Sequence, residues 1–119
     1  MAQTYTILGT TVHGQPSGNY DGSSQDWASD AQRAADYYRG FGGLQTVTVN
    51  VTEFVGRLVL EATLDTDSNT ATWFSTDIYD SDSTFTDRRP FSIRGNFTWM
   101  RVRVELFEAG TINSVSITY

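Results

Sequence analysis

The stretch from Gly95 to Tyr119, GNFTWMRVRVELFEAGTINSVSITY, constrains the fold more than any other part of this chain. Trp99, Arg101, Arg103 and Glu105 share one parity; Met100, Val102, Val104 and Leu106 share the other. Strand side chains point alternately to opposite faces, so this segment has one charged face and one apolar face. Ala109-Gly110 follows, a dipeptide suited to a tight reversal because glycine tolerates positive φ. Val115, Ile117 and Tyr119 then resume the period of two. The pattern predicts a hairpin that buries one side in a β-sandwich.

The rest of the chain agrees with an all-β domain. At 119 residues, with 39% hydrophobic and 13% aromatic side chains, it can bury one core and is too apolar for disorder. Thr, Val, Tyr, Phe and Trp are well represented, and all suit a pleated, half-buried surface. Tyr5 to Val12 reads as a first strand and His13 to Ser24 as a polar, glycine-rich loop. Asp26 to Arg39 fits helix or strand, with strand favoured for 33–39. Gly40 to Gly43 reads as a turn.

Leu44 to Val51 alternates, with Val47, Val49 and Val51 inward. Phe54 is expected inward at a reversal near Gly56, and Arg57 to Leu64 places Leu58, Leu60, Ala62 and Leu64 on one face. Ala71 to Ser75 and Pro90 to Arg94 read as short strands, the proline suiting an edge. Between them, the acidic 77–89 segment reads as an exposed excursion. The expectation is a single domain, 1–119, folded as an antiparallel β-sandwich of jelly-roll or discoidin-like type with about eight strands.

Charge excludes some functions. The net charge is −6 and the pI about 4.4, which disfavours a nucleic-acid surface, where clustered cations must neutralise phosphates. All eight cations are arginine. Sheet edges are often guarded by lysine, so edge protection here must come from other charges, bulges or neighbouring subunits. With no cysteine, disulfides, thiolate metal sites and cysteine catalysis are ruled out. MAQTYTILG has neither the basic nor the apolar region of a signal peptide, and no run of residues is apolar enough to predict a membrane helix. Folding in a cytoplasm is the expectation.

Candidate chemistry is sparse. His13 is the only histidine and has no local nucleophile or carboxylate to form a triad. Asp65-Thr66-Asp67-Ser68-Asn69 opens like a calcium loop, but Thr70 replaces the required glycine and Thr76 the twelfth-position glutamate. Glu61 and Glu105 lie on polar strand faces, where cross-strand pairing with Arg57, Arg101 or Arg103 is the simpler reading than glycosidase chemistry. No catalytic residue, cofactor or metal site is assigned. Tyr79 and Phe85 lie in DIYDSDSTFTD with little apolar company, which marks them as exposed contact residues. Trp99, Arg101 and Arg103 form the other candidate interaction face, since Trp and Arg are enriched at binding hot spots.

The succession ADYYRGFGGLQTVTV, FVGRLVLEATL, TWF and GNFTWMRVRVELFEAGTINSVSITY resembles a small β-sandwich domain of virion structural proteins. That domain occurs in contractile-tailed phages of marine cyanobacteria and similar hosts. Tyr37-Tyr38, Leu44-Gln45-Thr46-Val47, Gly56, Glu61-Ala62-Thr63-Leu64, Trp73-Phe74, Gly95-Asn96-Phe97, Trp99, Arg101 and Gly110-Thr111 carry the resemblance. It implies a non-enzymatic structural protein located in the virion, a capsid decoration or a neck or tail accessory. Such a protein would form homo-oligomers, a trimer at a head site, and bind other phage structural proteins. The alternative is a carbohydrate-binding module that attaches to host-surface glycans through loop aromatics.

Overall fold

A computed structural model describes residues 3–37 and 43–119. The described residues contain strands and no helix. In chain order the strands are β1 (Thr4–Leu8), β2 (Thr11–Val12), β3 (Trp27–Ala28), β4 (Gln32–Arg33), β5 (Leu44–Thr63), β6 (Phe74–Arg94) and β7 (Trp99–Thr118). All pairings are antiparallel, and all strands belong to one hydrogen-bonded sheet of order β1-β7-β5-β6, with β2, β3 and β4 also on β7.

The three long strands are bent. Twenty residues at about 3.3 Å each would span roughly 66 Å, yet the longest dimension of the molecule is 39 Å. The bends fall where pairing slips: between Val51 and Gly56 on β5, and opposite, where Ala109 faces Val55 and Glu105 faces Arg57. Glu53, Leu106 and Gly110 have positive φ there (49°, 53° and 89°), as expected of bulges that kink a strand and sharpen its twist.

Each bend divides a strand between two layers. In one layer, residues 44–51 of β5 lie between 87–94 of β6 and 112–118 of β7, with β1 and β2 beyond. In the other, residues 57–63 lie between 74–80 of β6 and 99–105 of β7, with β3 and β4 beyond. Numbering the eight resulting segments along the chain gives layers ordered 1-8-3-6 and 2-7-4-5. That interleaving is a jelly roll, so the protein is an eight-segment antiparallel β-sandwich.

The layers enclose one core. Val47, Val49, Val51, Val115 and Ile117 face Leu58, Leu60, Ala62, Met100, Val102 and Val104 within a single buried cluster. At the bend the core is aromatic: Phe107 lies 5.2 Å from Tyr20 and 5.8 Å from Phe54, and Tyr20 stacks on Trp27 at 5.2 Å. Large rings fill the space between the two layers at the bend. At the opposite end Gln45, on the same inward parity as Val47, is fully buried. Its Nε2 donates to the carbonyls of Gly43 and Ile93 (both 2.9 Å), and its Oε1 accepts from the Ala35 amide (3.0 Å). Tyr119 Oη donates to the Arg33 carbonyl, joining the layers there as well.

The architecture corrects several expectations. Gly110 does not reverse the chain, because β7 continues through it as one strand. A glycine with positive φ serves a bulge as well as a turn. Likewise β5 bends rather than reverses near Gly56, although Phe54 is buried as expected. The bulge also shifts the inward parity from Val104 to Phe107, leaving Leu106 48% exposed. Residues 77–89 are not a loop: they belong to β6, paired along β5. Of the 33–39 segment, only Arg33 is in a strand; 34–37 turn away, and 38–39 lie outside the described residues, as do 40–42 of the expected turn.

Candidate functional site

The outer face of the layer built from 57–63, 74–80 and 99–105 carries an ordered charge network. Glu61 lies directly across from Arg101, and Arg57 across from Glu105 and Asp80. The Glu61 side chain is only 5% exposed and holds two guanidinium groups, Arg101 Nε at 2.8 Å and Arg103 Nη2 at 3.1 Å. Arg101 also lies over the Trp73 ring, 4.5 Å from its centroid. Arg57 bridges Asp80 (3.3 Å) and Glu105 (3.7 Å). These are the cross-strand pairs expected from the sequence. The burial of Glu61 beneath two arginines makes its pair stronger than a solvated one.

Two depressions flank Arg101. One, of about 330 Å³, is lined by Asp26, Trp27, Ala28, Arg101, Arg103 and Glu105. The other, of about 290 Å³, is lined by polar groups that include Asn19, Asp30, Asn69 and Arg101, with Trp73 at its wall. Asn19 Nδ2 donates to Asp30 Oδ1 at 3.0 Å and to the Ala28 carbonyl, which fixes both side chains in the cleft. The arrangement presents fixed donors and acceptors beside an aromatic ring.

The sequence-predicted contact residues fare differently. Arg101 and Arg103 lie side by side on the outer face as expected, Arg103 being the more exposed. Trp99 is tied down: its Nε1 donates to the Thr66 carbonyl at 3.1 Å and its ring meets Tyr37 edge-on at 4.9 Å. Phe85 is 52% exposed. Tyr79 is not a surface residue. It pairs with Leu58, is 2% exposed and stacks near Phe54. Burial raises its phenol pKa above the ordinary 10.0, and the Asp87 carboxylate, which accepts its hydrogen bond at 3.3 Å, raises it further.

Trp73 and Asp30 were missed as a site pair, since 43 positions separate them and only strand pairing brings their neighbourhoods together. In the acidic turn, the Asp65 and Asp67 carboxylates accept backbone bonds from Thr72 and Asn69. Among the described residues no three His, Cys, Asp or Glu side chains converge as metal ligands, and no helix is long and apolar enough to cross a membrane.

No family model matches the chain, and neither a curated protein nor a solved structure matches it.

Proposed function

We propose that this protein is a structural component of a phage particle, a capsid decoration or a neck or tail accessory, that works by self-association and by binding other virion proteins. The observation that carries this reading is the jelly-roll order of its eight segments, an architecture shared by viral capsid domains and lectins. Fold alone does not fix function. The sequence resemblance adds weight, as does the rigid arginine pair on Glu61, because pre-positioned guanidinium groups lose little freedom on meeting a partner. A trimer fits a three-fold head site, and binding to assembled neighbours stabilises each copy by mass action. Mass spectrometry of purified particles of the encoding phage tests the reading: a fixed copy number in the particle supports it, and recovery only in the soluble lysate sinks it.

A second reading is glycan binding. It draws on the polar cleft of Asn19, Asp30, Asn69 and Arg101 beside Trp73, in which hydroxyls would meet fixed donors and acceptors and a sugar ring would pack on the indole. Specific glycan-array signals abolished by Trp73→Ala and Asp30→Ala, with the fold intact, would favour it over the assembly reading.

A further inference from the structure

The free edge of both layers is the same strand, β6. It pairs with β5 on one side and with no described element on the other. Residues 74–81 end one layer and residues 87–94 end the other. The two edges therefore lie one above the other on the same side of the sandwich, about 10 Å apart as in stacked sheets. They run in opposite directions because the chain doubles back at the bend. An open edge offers unpaired backbone donors and acceptors to another strand.

The two edges differ in charge. Residues 74–81 carry Asp77 and Asp80 and no cation; residues 87–94 carry Arg88, Arg89 and Arg94 against Asp87. The same strand also holds exposed apolar side chains, Phe74 at 41%, Ile78 at 53% and Phe85 at 52%. Charge is thus segregated along a strand that also leaves apolar surface uncovered.

We infer that β6 pairs with β6 of a second copy about a two-fold axis, residues 74–81 of each copy running antiparallel to residues 87–94 of the other. Two two-fold arrangements join both edges at once. In the first, each edge meets its own counterpart: Asp77 and Asp80 face the same carboxylates, and the arginines face arginines. In the second, the acidic edge of each copy meets the basic edge of the other, twice. A register that sets Asp80 opposite Arg88 also brings Phe74 opposite Arg94. Like charges directly opposite in a sheet are destabilising and opposite charges stabilising, so the second arrangement wins.

Asp80 and Arg89 already have internal partners in Arg57 and Asp87, but Arg57 is shared with Glu105, so the acidic edge keeps its sign. The contact is isologous and closed, and each layer continues from one copy into the next. Three such pairs can close into a six-membered assembly with both two-fold and three-fold axes, so this contact is compatible with three-fold symmetry. The inference deepens the assembly reading and rests on self-association.

The test uses the whole chain and two variants, Asp77→Arg/Asp80→Arg and Arg88→Asp/Arg89→Asp, in light scattering over a wide concentration range. The expected wild-type mass is twice the 13.3 kDa of the chain, or a multiple of that. Each variant alone should be a monomer, because its two edges then carry the same sign, and an equimolar mixture should dimerise, because acidic edges meet basic ones again. Wild-type hydrogen exchange should slow with concentration at 74–81 and 87–94, a readout that does not depend on the variants folding. Self-association unchanged in both variants, or concentration-dependent protection elsewhere and not on β6, overturns the inference and leaves the assembly reading standing. A wild type that stays monomeric overturns both, whereas failure of particle association alone removes only the virion assignment.

Discussion

Gly110→Ala probes the bend that makes this chain a two-layer sandwich. Gly110 has φ of +89°, and a Cβ added there would sit 2.2 Å from the Glu53 carbonyl oxygen and 2.7 Å from the Phe54 Cα. Both neighbours are backbone of β5, so no side chain can swing aside. Since real Cβ contacts do not fall below 3.0 Å, β5 must retreat by about 0.8 Å (3.0 less 2.2). The positive φ costs an L-residue about 1–2 kcal/mol. Loss of one or two ladder bonds as β5 retreats adds roughly 1 kcal/mol each. The total, about 2–4 kcal/mol, is a large share of the 5–15 kcal/mol typical of a domain, and at this chain length corresponds to a fall in Tm of roughly 6–20 °C. Two substitutions separate the causes. Gly14 has φ of +88° with nothing within 4 Å, so Gly14→Ala carries only the conformational cost, about 1–2 kcal/mol. Gly9 has an ordinary φ and open space, so Gly9→Ala should stay within about 0.5 kcal/mol of wild type. Urea unfolding followed by circular dichroism measures all three. If Gly110→Ala proves no worse than Gly14→Ala, the two strands do not press together at the bend and the argument fails.

Three further outcomes follow from particular side chains. Glu61→Gln weakens the anchor of Arg101 and Arg103; with Arg103 nearly half exposed, the expected loss is about 1–2 kcal/mol in urea unfolding, and a loss below experimental error would show that the pair is ornamental. Gln45→Leu removes the bonds to Gly43, Ile93 and Ala35, leaves buried backbone groups unpaired and should cost about 2–4 kcal/mol; a neutral result would mean water replaces the amide. Asp21 accepts amide bonds from Ser23 and Ser24, which hold its carboxyl at about 2 against an ordinary 3.8. A folded-state pKa below the unfolded one favours folding above about pH 4, and that contribution is lost as pH falls towards 2. An NMR titration should place the Asp21 midpoint near 2, and a midpoint near 3.8 refutes the turn geometry.

The alternating segments were legible because each buries one face: Val47 to Val51, Leu58 to Ala62 and Met100 to Val104 all point inward as their parity requires. The bends were not, since a bulge leaves the same signature as a turn, a glycine or polar residue that breaks the period. Gly110 therefore reads as a reversal until its pairing with β5 is known. β6 was misread for a different reason. It is an edge strand with most of its side chains exposed, so no apolar alternation survives to reveal it. Tyr79 is inward only because it stands opposite Leu58, a relation invisible in the local run DIYDSDSTF. Tyr20 is similar: it lies in a polar, glycine-rich loop yet is 1% exposed, because its ring packs against Trp27 and Phe107 at the bend. In the charge network, residue types and strand faces were enough to suggest Glu61 with Arg101 or Arg103. The cleft of Asp30 and Trp73 depends on which strands are neighbours.

The most direct test of the assembly account is the mass of the purified wild-type protein by light scattering as its concentration is raised. The account predicts a mass that rises with concentration to a discrete multiple of the 13.3 kDa chain mass and shifts downward with added salt, because opposed charges at the joined edges are screened. A mass of one chain at every concentration and every salt would contradict it.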